Sequence, residues 1–237
     1  MKEQTIKITS ADVYENGNIK LSALQKYMQQ IAREDCDDYG ASYENVRALG
    51  MVFVITKLAI EFYAHIKTDD IIVMKSVNNK IVGITFVREF LFFRNNVLIA
   101  ASTTNWVLMD FINRKVCRAS ALNDQIPQLN LDIKGVEVKR RITKTELPHI
   151  GVHRVRYTEL DENRHLNNAV YSDILIDYLP ETVPNSHIKR CQINFNSEAT
   201  LGDLLDIYSK KENDGFVMIT KNITAQKVCF EAELFFD

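Results

Sequence analysis

The feature that most constrains this chain is one pattern written twice. Leu21, Leu24, Met28 and Ile31 recur at helical spacing, and Tyr27 and Ala32 widen the apolar face. An amphipathic helix is expected from Leu21 to about Cys36, with Gly40 as its stop. Four runs rich in β-branched and aromatic residues follow, at 52–63, 71–77, 85–93 and 97–110. Asn78-Asn79-Lys80 and Arg94-Asn95-Asn96 separate them as hairpin turns would. An extended entry at 5–15 and the turn signal Asn16-Gly17-Asn18 precede the helix. The order then returns. A strand is expected at 152–160 and a helix from Asn167 to about Leu179, closed by Pro180 and Pro184. Strands at 187–195, 204–211, 216–225 and 227–236 complete it, with Glu212-Asn213-Asp214-Gly215 as a hairpin turn.

Shifted by 145 residues, Asn16-Gly-Asn18-Ile-Lys20-Leu21 falls over Asp161-Glu-Asn163-Arg-His165-Leu166. Shifted by 133, the segment Phe62 to Asp70 falls over Phe195 to Asp203, with His65 opposite Glu198. A duplicated unit accounts for both, the acid and imidazole groups lying only in the second copy. A helix followed by four strands buries its apolar stripe against a curved antiparallel sheet. The expected class is α+β, a tandem (double) hotdog of two long helices, each wrapped by such a sheet. Its units would span 1–120 and 151–237, joined by a linker at 121–150 that carries Pro127 and Pro148.

With 25% charged residues and a formal net charge of -2, bulk affinity for nucleic acid or anionic membrane is not expected. Cys36, Cys117, Cys191 and Cys229 are far apart and form no C-x-x-C pair. Reduced, mostly buried thiols in a cytoplasmic protein are expected, without a disulfide framework or a zinc site. The first residues form no apolar signal segment, and the run at 51–66 is broken by Lys57, Glu61 and His65, so neither a signal peptide nor a membrane span is expected. The basic run Lys139-Arg140-Arg141 is either a solvated face or a docking patch for an acidic partner.

Chemistry concentrates at Asp161-Glu-Asn163-Arg-His165-Leu-Asn167-Asn168. If the chain is extended there, Asp161, Asn163 and His165 project to one side, at the mouth of the second helix. The plainer alternative is a turn with Asn167 as helix N-cap. Trp106 and the set Phe86, Phe90 and Phe92 read first as core, although alternating aromatics also suit a sheet lining an apolar tunnel.

The stretch from Arg156 to Tyr171 resembles the D-x-N-x-H-x-N-N segment, with its following tyrosine, of the acyl-acyl-carrier-protein (acyl-ACP) thioesterases of bacteria and plant plastids. Arg88-Glu-Phe90 is similar to that family's Arg-Asp-Phe strand, and Ser102 to Asp110 to its Ser-x-Trp-x-x-x-Asp strand with a basic turn after it. The resemblance runs over most of the chain in the same order. It implies a double hotdog and hydrolysis of fatty acyl-ACP, releasing a free fatty acid and ending fatty acid synthesis, with no cofactor. It implies Asp161, Asn163, His165 and Glu198 as catalytic residues. Plant members carry a cysteine after that glutamate; here the position is Ala199, which favours a water-based mechanism over a thiol nucleophile. Cys191, without an activating partner, is expected to be structural.

Under this reading Glu198 or Asp161 activates water, partial burial raising the Glu198 carboxyl. The other carboxylate orients Asn163 or His165, Asn163 donates to the carbonyl oxygen or holds the water, and backbone N–H groups near Asn167 and Asn168 form the oxyanion hole. By family analogy the first unit binds the acyl chain through Leu24, Met28, Ile31, Val52, Val54 and Thr56. The acidic carrier protein would meet Lys139, Arg140, Arg141, Arg114 and Lys115. A homodimer stays open. The alternatives are an acyl-CoA thioesterase of the hotdog superfamily and a non-catalytic acyl-binding hotdog protein.

Overall fold

The computed structural model describes residues 1–122, 126–131, 133, 135–142, 146–180 and 187–236. In chain order the strands are β1 (Lys2–Lys7), β2 (Met51–Phe62), β3 (Ile71–Val82), β4 (Thr85–Arg94), β5 (Val97–Asp110), β6 (Lys115–Val116), β7 (His149–Arg154), β8 (Ile188–Phe195), β9 (Leu204–Glu212), β10 (Gly215–Asn222) and β11 (Lys227–Phe236). The helices are α1 (Leu21–Asp38), α2 (Tyr43–Ala48) and α3 (Val170–Asp177). All strands join one antiparallel sheet in the order β1-β3-β4-β5-β2-β8-β11-β10-β9-β7, with β6 paired to β5. The two halves repeat one strand order and meet at β2 and β8, where Ala59 faces Gln192. The sheet wraps a single core. Leu21, Leu24, Met28 and Ile31 of α1, Tyr171, Ile174 and Leu175 of α3, and inward strand residues such as Phe90, Phe92, Ile193 and Phe230 fill it. The fold is the double hotdog. The helix of the second half, α3, at 8 residues, is less than half the length of α1 at 18. Among the described residues no helix is long and apolar enough to cross a membrane.

Several element boundaries differ from the sequence reading. The entry segment is β1 followed by a single 3-10 turn at Ser10–Asp12. Asn78-Asn79-Lys80 is no turn: β3 runs on to Val82 through a bulge between Asn78 and Lys80, and the chain reverses at Gly83, whose φ is +64°. The two asparagines are buried because the connecting segment satisfies them. Asn78 Nδ2 donates to the Pro127 carbonyl at 2.8 Å, and Asn79 Oδ1 accepts from Leu131 N at 2.8 Å. α2 lies where only a loop was expected; six residues are too few for a periodicity, although Ser42 caps them through Asn45 N at 3.1 Å. β7 begins at His149, inside the expected linker, and ends at Arg154; the expected extension to Leu160 is a 3-10 turn at Tyr157–Glu159. Pro184, expected to help end the second helix, lies outside the described residues.

The segment between the halves packs on the outer face of the sheet. Val136 N donates to Thr103 Oγ1 at 2.9 Å, and Lys139 N and O bond the Gln192 amide, both at 2.9 Å. Gly135 passes so close that a β-carbon there would lie 2.6 Å from Glu89 Oε1. Glu89 is therefore buried, and its Oε2 meets no hydrogen-bond partner among the described residues. Burial pushes the Glu89 carboxyl up, with the Asn79 side chain pulling the other way. The folded state thus holds this proton more tightly than the unfolded chain, and stability falls as pH rises through that interval. Glu89→Gln is expected to raise Tm at about pH 7.5 and to leave it unchanged near about pH 3.5, where the carboxyl is protonated in both states. Thermal unfolding at the two pH values checks this.

Candidate active site

The polar loop between β7 and α3 is shaped by Asp161. Its Oδ1 accepts from the backbone N–H of Asn163 at 2.8 Å and of His165 at 3.1 Å, while its own N–H donates to the His165 carbonyl at 2.8 Å. A short aspartate reaching two residues ahead closes a turn. Arg164 completes it in the left-handed region at φ 65°. The segment is therefore not extended, and the three side chains do not share one side. Asp161 and Asn163 line the large cavity; His165 turns toward the segment that follows β8, where its Nε2 lies 3.4 Å from Glu198 Oε2.

The cavity, of about 430 Å³, lies between α1, α2, the β2-β5-β4 surface and this loop. Ala32, Val52, Phe53, Phe86 and Trp106 give it apolar walls, Cys36, Asn78 and Arg88 line its floor, and Asp161, Asn163, Asn167 and Asn168 form its polar end. Leu24, Met28 and Ile31 are not among its lining. They face the core on another side of α1, because the stripe that packs the helix on the sheet is not the stripe turned to α2 and the loop. Val52 lines it; Val54 and Thr56 do not. Phe86 and Trp106 are walls, whereas Phe90 and Phe92 are core.

At the mouth of α3 the expected donors separate. Asn167 N–H is spent on the Glu159 carbonyl at 2.9 Å, and Asn167 Oδ1 accepts from Ala169 N at 2.9 Å. The helix starts at Val170, so Asn167 closes the turn before it rather than capping it. Asn168 N–H is taken up by none of the described residues, and Asn168 lines the cavity.

Glu198 is not part of the cavity wall. Arg114 grips both its oxygens, Nη1 to Oε1 at 3.0 Å and Nη2 to Oε2 at 2.8 Å. It is thus a partly exposed member of an Arg114–Glu198–His165 chain, not a carboxylate pressed against an acyl wall. Ala199 is fully buried and its carbonyl accepts Leu166 N at 2.8 Å, tying the segment after β8 to the loop. Cys191 is fully buried, and burial pushes its thiol up, the state of an unreactive cysteine. Tyr171 packs edge-on against Phe195 and Phe230 in the core.

The basic residues fall into two places. Arg114 and Lys115 follow β5 at the Glu198 side, whereas Lys139 and Arg140 cross the outer face, where Lys57 Nζ donates to both their carbonyls. The Lys139 ammonium is held by Glu233 at 2.8 Å.

The first half carries a structural copy of the loop, offset by 147 residues rather than 145. Tyr14 N donates to Asn18 O at 2.8 Å as Asp161 N does to His165 O, and Gly17 stands where Arg164 does, with φ 78°. Gln25 of α1 and Ser172 of α3, 147 apart, hydrogen-bond across the pseudo-twofold axis. Tyr14 thus replaces Asp161, Asn18 replaces His165, and His65 replaces Glu198. His65 Nδ1 and Asn18 Oδ1 still pair at 3.0 Å, but the adjoining cavity, lined in part by Phe62, Ile176 and Phe236, is only about 20 Å³. Loss of the carboxylate and loss of the cavity go together.

Sequence reasoning missed Tyr43, Phe53 and the Arg114 grip. Tyr43 sits on α2, too short to register, and its hydroxyl donates to Asn163 Oδ1 at 2.7 Å.

Two helix-on-sheet units sharing one sheet, with a polar loop at the end of an apolar cavity, define a double-hotdog protein. A family model described as the acyl-ACP thioesterase N-terminal domain matches residues 1–124, and one for the acyl-ACP thioesterase C-terminal domain matches 142–233. The chain belongs to the acyl-ACP thioesterase family. Its fold is similar to that of an acyl-ACP thioesterase from Bacteroides thetaiotaomicron, with a TM-score of 0.90 at 17% identity over 100% of this chain and 97% of that one. The 12:0-ACP thioesterase from Umbellularia californica gives 0.85 at 14% identity, over 100% and 96%. At such identities the likeness is one of fold. The chloroplastic oleoyl-acyl carrier protein thioesterase of Coriandrum sativum is 20% identical over 229 residues, 88% of this chain and 62% of that protein. The chain therefore spans less than two thirds of that relative's length.

Proposed function

We propose that this chain hydrolyses fatty acyl-ACP thioesters to free fatty acid, with Asp161 as the carboxylate that activates water. One observation carries the reading: Asp161 and Asn163 stand at the polar end of a cavity whose walls are apolar enough for an acyl chain. Of the two candidate carboxylates, Glu198 has both oxygens engaged by Arg114, while both bonds to Asp161 fall on Oδ1. Asp161 Oδ2 is left to accept a proton from water. The oxygen of that water attacks the thioester carbonyl, and the charge that gathers on the carbonyl oxygen meets Asn163 Nδ2 and Asn168 N–H near the positive end of α3. The C–S bond then breaks, and the leaving sulfur takes the proton. His165 and Glu198 hold the segment after β8 against the loop from behind.

In this reading the first unit (1–120) holds the chain, the second (151–237) performs the chemistry, and 121–150 connects them. Of the basic candidates, Arg114 is paired with Glu198 and the Lys139 ammonium with Glu233, so the acidic carrier protein would approach through Lys115, Arg140 and Arg141. The test is product analysis with a mixed acyl-ACP pool beside the matching acyl-CoA set. Free fatty acid from the first and little from the second is expected, and the reverse would replace carrier protein with coenzyme A. Val52→Phe should shift the products toward shorter chains by filling the cavity. Met28→Phe should leave the profile alone and cost about 1–3 kcal/mol of stability, because it overpacks a full core. An unchanged profile in Val52→Phe would move the acyl chain elsewhere.

A further inference from the structure

We propose that Tyr43 is a positioning residue that fixes the Asn163 side-chain amide with its NH2 toward the thioester carbonyl; this rests on the function proposed above. The argument is one of hydrogen-bond direction. Arg47 Nη1 donates to the Tyr43 hydroxyl oxygen at 3.0 Å. A guanidinium has no acceptor, so the direction of that bond is set. The Tyr43 oxygen is thereby occupied as an acceptor, and its hydrogen goes to Asn163 Oδ1 at 2.7 Å. With Oδ1 taken from the α2 side, Asn163 keeps Nδ2 as the group it can offer to the cavity it lines. An unheld amide would rotate between presenting NH2, which stabilises an oxyanion, and presenting oxygen, which repels one.

The relay is itself anchored. The Arg47 guanidinium lies 4.7 Å from the Phe111 ring, which holds it in place beside Tyr43. Arg33 of α1 lies 5.3 Å from the Tyr43 ring and binds Glu44 on α2 and Glu162 in the loop, at 3.6 and 3.1 Å. Arg47 and Arg33 thus bracket Tyr43 from two elements, and donation by Arg47 strengthens the onward donation by the hydroxyl. In the first half Asn16 occupies the Asn163 position, beside a cavity of only about 20 Å³.

The test is a double-mutant cycle on acyl-ACP hydrolysis. Tyr43→Phe keeps the ring and removes the hydroxyl; kcat is expected to fall about tenfold with KM unchanged, the effect of losing one directing hydrogen bond. In an Asn163→Ala background the same change should have no further effect. Arg47→Met, which frees the hydroxyl to reverse, should give a smaller kcat loss that also vanishes in Asn163→Ala. Equal losses in both backgrounds, or a raised KM at constant kcat, would overturn the proposal and leave the thioesterase reading intact. A parent protein that hydrolyses neither acyl-ACP nor acyl-CoA would overturn both.

Discussion

Asp161→Asn is expected to lower acyl-ACP hydrolysis by about 10²- to 10⁴-fold, the range for losing a positioned general base. That is about 3–5 kcal/mol in the barrier. Asparagine is the informative replacement because the aspartate has two separable jobs. One is structural: Oδ1 accepts two backbone N–H groups and shapes the turn. An asparagine Oδ1 accepts the same two bonds, so the loop should keep its form and the folded protein its Tm. The other job, taking a proton from water, is lost with the carboxylate. Asp161→Ala would remove both and confound them. Glu198→Gln is the control. Glutamine still reaches His165, but it surrenders the ion pair to Arg114, and about a tenfold loss is expected. Steady-state kinetics on both variants, with circular dichroism to verify folding, decide the matter. Full activity in Asp161→Asn beside a dead Glu198→Gln would exchange the two roles.

Much of this architecture is legible in the sequence, for a physical reason: hydrophobic periodicity reports which side of an element is buried. The α1 stripe, the strand runs and the repeat all follow from it, and β5 and β11 occupy the spans their patterns predict. What escapes is anything set by partners distant in sequence. Asn78 and Asn79 have the composition of a turn, and only the segment at 127–131 makes them strand residues. The same gap explains the site. Spacing by two puts Asp161, Asn163 and His165 on one side only where the backbone is extended; the Asp161 side chain itself bends the backbone and sends His165 away. Leu24, Met28 and Ile31 were rightly apolar, yet core and cavity draw on different stripes of α1, and composition does not distinguish them. The arginine that grips Glu198 lies 84 residues away from it, beyond any local pattern.

The other large effect expected is on stability. Removing either partner of the Arg88–Asp35 pair should cost about 3–5 kcal/mol, since it strands the other charge in the interior. Their side chains are 5% and 2% exposed, and Arg88 Nη1 lies 2.6 Å from Asp35 Oδ2. The same nitrogen donates to Ser76 Oγ at 2.7 Å, so β3, β4 and α1 meet at one group. The pair also answers a local problem of the helix. The last turn of α1 carries Asp35, Asp37 and Asp38 and no basic residue, a charge placement the helix dipole opposes. Arg88 supplies the missing cation from β4, and Lys2 adds another from β1 through Asp38 at 2.8 Å. Arg88→Met or Asp35→Leu should therefore lower the urea midpoint sharply, since the loss is a large part of the roughly 5–15 kcal/mol typical of a folded domain. The double replacement, which removes both charges, should recover most of the loss, because a buried pair is worth little beyond its own desolvation. A single variant losing under about 1 kcal/mol would mean that water reaches the pair. Because Arg88 and Cys36 both line the cavity, the singles should also loosen its floor. The double variant, folded but uncharged there, separates the effect of that floor on chain selection from the stability of the helix that forms it.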